Sequence, residues 1–290
     1  MTQNVLHPFA RNDQSGVAPG RNQLLIRLSY EGTPFYGVPP QPGLPSVSET
    51  LQTELLQYFG QPIKALTFTA RTDKGVHARV NYATGWIKDG PLLPASGIEI
   101  APQSAGLGGI QIFPVSTDVF ARTISLTKTY AYRFRDHFLT EQRETLRYWD
   151  ILPALNVQAM EEAASLLVGT HDFSNFQIRG TKENRDRLCT IAAASLMVIP
   201  QATHQEILFI IRGNRFLRRM VRILAGTLAE IGCGLMKPKT IQDLLKAETP
   251  QEAGPTAPAR GLTLEAIELL PALEKQVNQR GPESDPNKNC

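Results

Sequence analysis

The chain has 290 residues, 42% hydrophobic and 20% charged, with a formal charge of +3; this places it in the globular class, long enough for one large or two ordinary domains. Charges and prolines interrupt the longest apolar stretches before a bilayer-spanning length, so no membrane partner is expected. Met1-Thr2-Gln3-Asn4-Val5 lacks the basic start and apolar run of a signal peptide, and a soluble, cytoplasmic protein is expected.

Residues 1–20 mix Asn, Gln, Gly, Ser and Pro without periodicity and predict a disordered arm. Residues 22–30 read as a strand broken by Glu31-Gly32-Thr33-Pro34. Ser46 and Glu49 offer a capping box ahead of Leu51, Leu55 and Leu56, in a helix that should stop near Gly60-Gln61-Pro62. A strand ending at Asp73 and another through 82–86 follow, then a Gly/Pro-rich stretch, 89–109, that reads as a long loop or linker. A second series starts with a strand at 112–115 and an alternating one at 127–135, where Lys128, Tyr130, Tyr132 and Phe134 share a face. A helix at 157–167 ends at Gly169, strands follow at 191–198 and 206–211, and the last major helix is predicted over 215–231. From about Glu274 the end is polar and proline-broken. This order suggests an α+β fold with two similar halves, 21–115 and 116–272, between the arm (1–20) and a disordered tail (273–290), although no internal repeat proves duplication.

The segment Thr67-Phe68-Thr69-Ala70-Arg71-Thr72-Asp73-Lys74-Gly75-Val76-His77-Ala78 ends an apolar, β-branched run in an acid and two bases. A strand that stops this way delivers charged groups to one loop, where a sheet can aim them. The same residues also suit a plain turn, with Thr72 and Asp73 bonding their own backbone and Gly75 at positive φ. On the predicted 215–231 helix, Phe216, Met220, Ile223 and Thr227 form one stripe, Leu217, Val221, Leu224 and Leu228 another, and Arg215, Arg218, Arg219 and Arg222 a basic one. A basic stripe can be a solvated face, but arginines on an otherwise apolar helix need carboxylates or phosphates if they are buried. From 179 to 222, nine Lys/Arg face only Glu183, Asp186 and Glu206, which points to a polyanionic partner.

His77 reads as a satisfied structural residue, because a metal needs more convergent ligands. His171 reads the same way, with Asp172 and Ser174 as local capping groups ahead of Phe176. Cys189, Cys233 and Cys290, odd in number and without Cys-x-x-Cys spacing, argue against a disulfide framework or zinc site and read as two core thiols and a tail residue.

Ala70-Arg71-Thr72-Asp73-Lys74-Gly75-Val76-His77-Ala78 resembles the Gly-Arg-Thr-Asp-x-Gly-Val-His-Ala motif of the tRNA pseudouridine synthase A (TruA) family. Further segments match in order: Tyr30-Glu31-Gly32 through Tyr36-Gly37, Ser46-Val47-Ser48-Glu49, Lys128-Thr129-Tyr130-Ala131-Tyr132, His171-Asp172-Phe173-Ser174-Asn175-Phe176, residues 215–222, and Ala257-Pro258-Ala259-Arg260-Gly261-Leu262. The resemblance runs from about residue 24 to 270. It implies a two-lobed α+β enzyme that isomerises uridine to pseudouridine in the anticodon arm of tRNA, as a homodimer, with the cleft between the lobes and no cofactor. Asp73 is then the catalytic carboxylate, Arg222 its cationic partner and Tyr130 the active-site tyrosine. Arg71 resembles the residue that fills the gap or holds the backbone when the target base leaves the stack. Lys128, Arg215, Arg218 and Arg219, with Arg122, Arg179, Lys182, Arg185 and Arg187, are expected as phosphate contacts as a group.

Departures from the family pattern include Gly37-Val38-Pro39-Pro40-Gln41 in place of Gly-Trp-Gln, Ala70 in place of glycine, and Phe120 where a histidine is common. Residues 86–112 also lack the Asn-x-x-Leu-Pro element. They bear on which uridine or RNA is chosen. The rival reading is a noncatalytic RNA-binding protein or folding helper on the same scaffold; a metal-dependent nuclease is a weaker one, since the motif holds one acidic residue.

Overall fold

The computed structural model describes residues 21–136, 147–152, 154–178, 186–201, 205–246 and 251–278. In chain order the elements are β1 (Arg21–Tyr30), α1 (Val47–Phe59), β2 (Lys64–Phe68), β3 (His77–Lys88), β4 (Ile98–Ile100), β5 (Leu107–Val115), β6 (Ser125–Asp136), β7 (Trp149–Ile151), α2 (Val157–Ser165), β8 (Gly169–Asp172), β9 (Leu188–Pro200), β10 (Gln205–Gly213), α3 (Met220–Gly232), α4 (Thr240–Lys246), β11 (Leu262–Leu269) and α5 (Pro271–Asn278). The expected α+β class holds.

Strands from both halves of the chain join in one eleven-stranded sheet, ordered β4-β5-β1-β3-β11-β6-β10-β9-β8, with β2 also on β3 and β7 on β6. Most pairings are antiparallel. The seam between the halves is a short parallel one, Thr263 with His77 and Leu264 with Ala78. The residue that opens β3 therefore closes the Asp73 motif and meets the strand that follows Ala257-Pro258-Ala259-Arg260-Gly261.

At the same end of β3 the register with β1 shifts. Leu28 pairs with Asn81 but Tyr30 with Ala78, so β3 carries one extra residue. The bulge keeps Ala78, Asn81 and Tyr30 on one face and places the buried Asn81 amide under the loop that follows β2.

Local chemistry explains why the flanking helices start and stop where they do. Ser46 accepts from Glu49 N–H at 3.2 Å and donates to the Glu49 carboxylate at 2.7 Å, while Gly60 ends α1 in the left-handed region, as the sequence predicts. α3 is buried along nearly its whole length. A Cβ at Gly226 would lie 1.7 Å from the Pro255 carbonyl oxygen, so only glycine lets the 254–257 segment cross the helix this closely. Thr227 fixes that crossing by accepting from Gly254 N–H at 3.0 Å and donating to the Ile223 carbonyl at 2.8 Å.

Four expectations change. The strand expected to end at Asp73 stops at Phe68, so Asp73 stands in the loop between β2 and β3. The last major helix begins at Met220 rather than near Arg215: Arg219 takes φ 62 at the helix entrance, so Arg215, Arg218 and Arg219 lie on an irregular segment and form no helical stripe with Arg222. A left-handed residue breaks the 3.6-residue phase, which side-chain spacing cannot reveal. The 89–109 stretch contains β4 and the start of β5, since Ile98, Ile100 and Leu107 supply alternating apolar contacts despite the flanking glycines and prolines. Finally, the polar end opens as α5, which buries Leu273 and Val277; residues 279–290, including Cys290, and the 1–20 arm lie outside the described residues.

Candidate active site

The Asp73 loop is held from several sides. Asn81 accepts from Ala70 N–H at 3.3 Å and donates to the Ala70 carbonyl at 2.9 Å and to the Tyr30 hydroxyl at 3.1 Å. The Tyr30 hydroxyl meets the Thr72 hydroxyl at 2.9 Å, and burial pushes the Tyr30 phenol from 10 up to about 12, keeping it neutral. The Tyr36-Gly37-Val38 segment braces the other side: Val38 N–H donates to the Thr72 carbonyl and Gly75 N–H to the Phe35 carbonyl, each at 3.2 Å. Gly37, at φ +100, passes so near that its Cβ would stand 3.0 Å from the Thr72 oxygen. Val38 is 1% exposed, so the departure from the family aromatic falls in the packing behind the loop.

Asp73 leaves this loop half-buried and meets Arg222, whose Nη1 lies 3.2 Å from its Oδ2. Arg222 stands in the first turn of α3 and is doubly tied to the crossing segment, donating Nε–H to the Ala257 carbonyl at 2.8 Å and accepting Ala257 N–H on its own carbonyl at 3.1 Å. One guanidinium thus joins loop, helix and crossing segment. A guanidinium held at two of its nitrogens in this way fixes the direction of the carboxylate it meets.

Tyr130, on β6, pairs with Leu264 of β11 and Ile211 of β10 and is 8% exposed. Burial first, then the neighbouring Tyr30 and the Asp73 charge, push its phenol well above the ordinary value, so it faces the site as a proton-bearing hydroxyl. Phe216 meets its ring edge-on with centroids 5.1 Å apart. The three residues singled out from the sequence, Asp73, Arg222 and Tyr130, therefore share one electrostatic neighbourhood.

The outer cations are less uniform. Arg71 and Arg218 are exposed, and Arg215 pairs loosely with Asp186 at 3.6 Å. Arg219 is half-buried, and its Nε has no hydrogen-bond partner among the described residues. Lys128 departs from a free phosphate contact: its ammonium donates to the Ser125 hydroxyl at 2.9 Å, and burial holds its pKa below the ordinary value. Arg187 donates to Ser174 at 3.3 Å, whereas Arg179, Lys182 and Arg185 lie outside the described residues.

His77 is 1% exposed, accepts from Gly32 N–H at 3.2 Å and lies 2.9 Å from the Glu31 carboxylate, which also pairs with Arg147. His171 meets the Val168 carbonyl at 3.1 Å, and Asp172 accepts from Ser174 N–H at 2.7 Å ahead of the buried Phe176. Cys189 is a core thiol, with a pKa pushed up to about 11 by burial, and Cys233 is half-buried.

Sequence reasoning missed Asn81 as the brace of the loop and Phe216 as the partner of Tyr130. A lone amide in an apolar strand was the available sign for Asn81; Phe216 carried none, because it looked like a core residue of a helix.

Residues 163–268 match a family model described as tRNA pseudouridine synthase. A tRNA pseudouridine synthase A from Myxococcus xanthus is 30% identical over 84% of this chain and 91% of its own length. The namesake from Halalkalibacterium halodurans is 35% identical over 82% and 89%, and that from Thermoanaerobacter sp. 33% over 84% and 98%. With this similarity spanning most of both chains, the protein belongs to the tRNA pseudouridine synthase A family.

Proposed function

We propose that this protein isomerises uridine to pseudouridine in the anticodon arm of tRNA, with Asp73 as the catalytic residue. The observation that carries the proposal is the Asp73–Arg222 pair at 3.2 Å, formed between a braced loop and a buried helix beside the neutral Tyr130 hydroxyl. The reaction breaks the N1–C1′ bond, turns the base and forms a C5–C1′ bond, while C5 loses a proton and N1 gains one. No net redox change occurs and no group is imported, which suits a site of carboxylate, guanidinium and phenol.

Arg222 fixes the direction of the Asp73 carboxylate, which then acts at the sugar, by trapping or stabilising positive charge at C1′ or by removing a ribose proton. Tyr130 offers a ring on which the detached uracil can stack and a hydroxyl able to pass a proton. A target inside a folded arm must leave its stack, and Arg71 holds the displaced backbone, a role its exposure two residues from Asp73 supports. Arg215, Arg218 and Arg219 extend the basic surface toward RNA phosphates. The halves 21–115 and 116–272 act as the two lobes around the substrate, in a cytoplasmic homodimer.

Mapping pseudouridine in a total tRNA pool after incubation with the pure protein tests the proposal. New pseudouridine in anticodon arms is the expected result. Intact binding of tRNA with no product at any position would favour the noncatalytic RNA-binding reading, and light scattering of the same preparation checks the dimer.

A further inference from the structure

A cavity of ≈ 330 Å³ opens where β1, β2 and β3 meet the 116–123 segment; Arg21, Gln23, Thr84, Trp86, Phe120 and Arg122 are among its lining residues. Its wall is bonded to the sheet, because Gln23 donates to the Val119 carbonyl at 3.1 Å and Thr84 accepts from Ala121 N–H at 3.0 Å. The Arg21 guanidinium lies over the Trp86 ring, 4.8 Å from its centroid. Phe120 is 51% exposed, an unusual state for a large aromatic, and the Arg122 next but one is exposed as well.

The cations here are unlike Arg222. No lining side chain is acidic, and the Arg21 Nε is buried without a hydrogen-bond partner among the described residues. An anion is the missing complement. A phosphate alone would serve the arginines and leave the Trp86 and Phe120 surfaces unmatched. An apolar side chain would do the reverse. A nucleotide meets both demands, since a base stacks on aromatic or guanidinium planes while its phosphate pairs with arginine.

We propose that this cavity receives one unstacked nucleotide of the RNA substrate, distinct from the uridine that is isomerised, with its base against Phe120 and Trp86 and its phosphate shared by Arg21 and Arg122. The proposal rests on the tRNA reading above.

The test uses the full chain with Trp149→Phe, which leaves Trp86 as the sole tryptophan, and compares it with the same protein carrying Phe120→Ala and Arg122→Ala. Both substitutions are at exposed positions, and thermal melting checks that the fold is retained. Expected are quenching of Trp86 emission by total tRNA, a roughly tenfold weaker tRNA affinity in the double variant, and a salt slope smaller by about one. Uridine monophosphate should quench Trp86, and inorganic phosphate should not. Unchanged affinity and slope in the double variant, with Trp86 emission unmoved by tRNA, would overturn the cavity while leaving the enzyme reading intact. Equal quenching by phosphate would overturn the stacked base. Failure of the unsubstituted protein to bind any tRNA would instead overturn the RNA reading on which the proposal depends.

Discussion

The Asp73 loop and the 214–219 segment ahead of α3 both carry charge toward the proposed substrate, yet they are built in opposite ways. In the first, Asn81, Tyr30 and the 35–38 segment grip the backbone on both sides, and the charged carboxylate is answered by a guanidinium with a second tie of its own. In the second, Arg218 is exposed and Arg215 has only a 3.6 Å pairing. Chemistry needs a charge held in one place, because small misplacements of a reacting group cost large factors in rate. Holding an RNA backbone needs charge that can adapt.

The sharpest way to break this contrast is Arg222→Lys. Lysine keeps the charge but cannot donate to Ala257 and Asp73 through one rigid fork, so pseudouridine formation should fall by about 100-fold while tRNA binding holds; single-turnover assays would detect it. Next comes Asn81→Ala, which removes a buried amide with two hydrogen bonds to Ala70 of the loop, one to Tyr30 and one to Tyr82 of its own strand. It should destabilise the protein by about 2–3 kcal/mol in urea unfolding and lower activity with it. Tyr130→Phe retains the stacking ring and removes the hydroxyl; a loss of about tenfold is expected if the phenol moves a proton. Because burial and Asp73 raise that phenol's pKa, its ionisation should cause no decline in activity through the mildly alkaline range. Smallest is Arg218→Ala. Filter binding should find tRNA affinity reduced about two- to threefold and the salt slope lowered by about one, with single-turnover chemistry unchanged.

Much of the first region was legible in the sequence, because its constraints are local. The capping box at Ser46, the stop at Gly60 and the abrupt end of an apolar run at Arg71-Thr72-Asp73 each announce themselves within a few residues. The pairing of Asp73 with Arg222 spans 149 positions and was reached only through the family resemblance. The second region was misread for a physical reason. Helical spacing extends from Arg215 through Arg222 without a flaw, but Arg219 enters the left-handed region and the three arginines before α3 leave its face. Side-chain periodicity carries no information about one backbone dihedral. Asn81 was hidden in a similar way, since its role depends on a bulge in β3 that redirects the strand's alternation.

Asp73→Asn is the most direct test of the central claim, that a fixed carboxylate opposite Arg222 performs the isomerisation. Pseudouridine formed in tRNA should drop by at least about 1000-fold while the affinity for the same tRNA stays within a factor of two. Wild-type product from the asparagine variant would contradict the account.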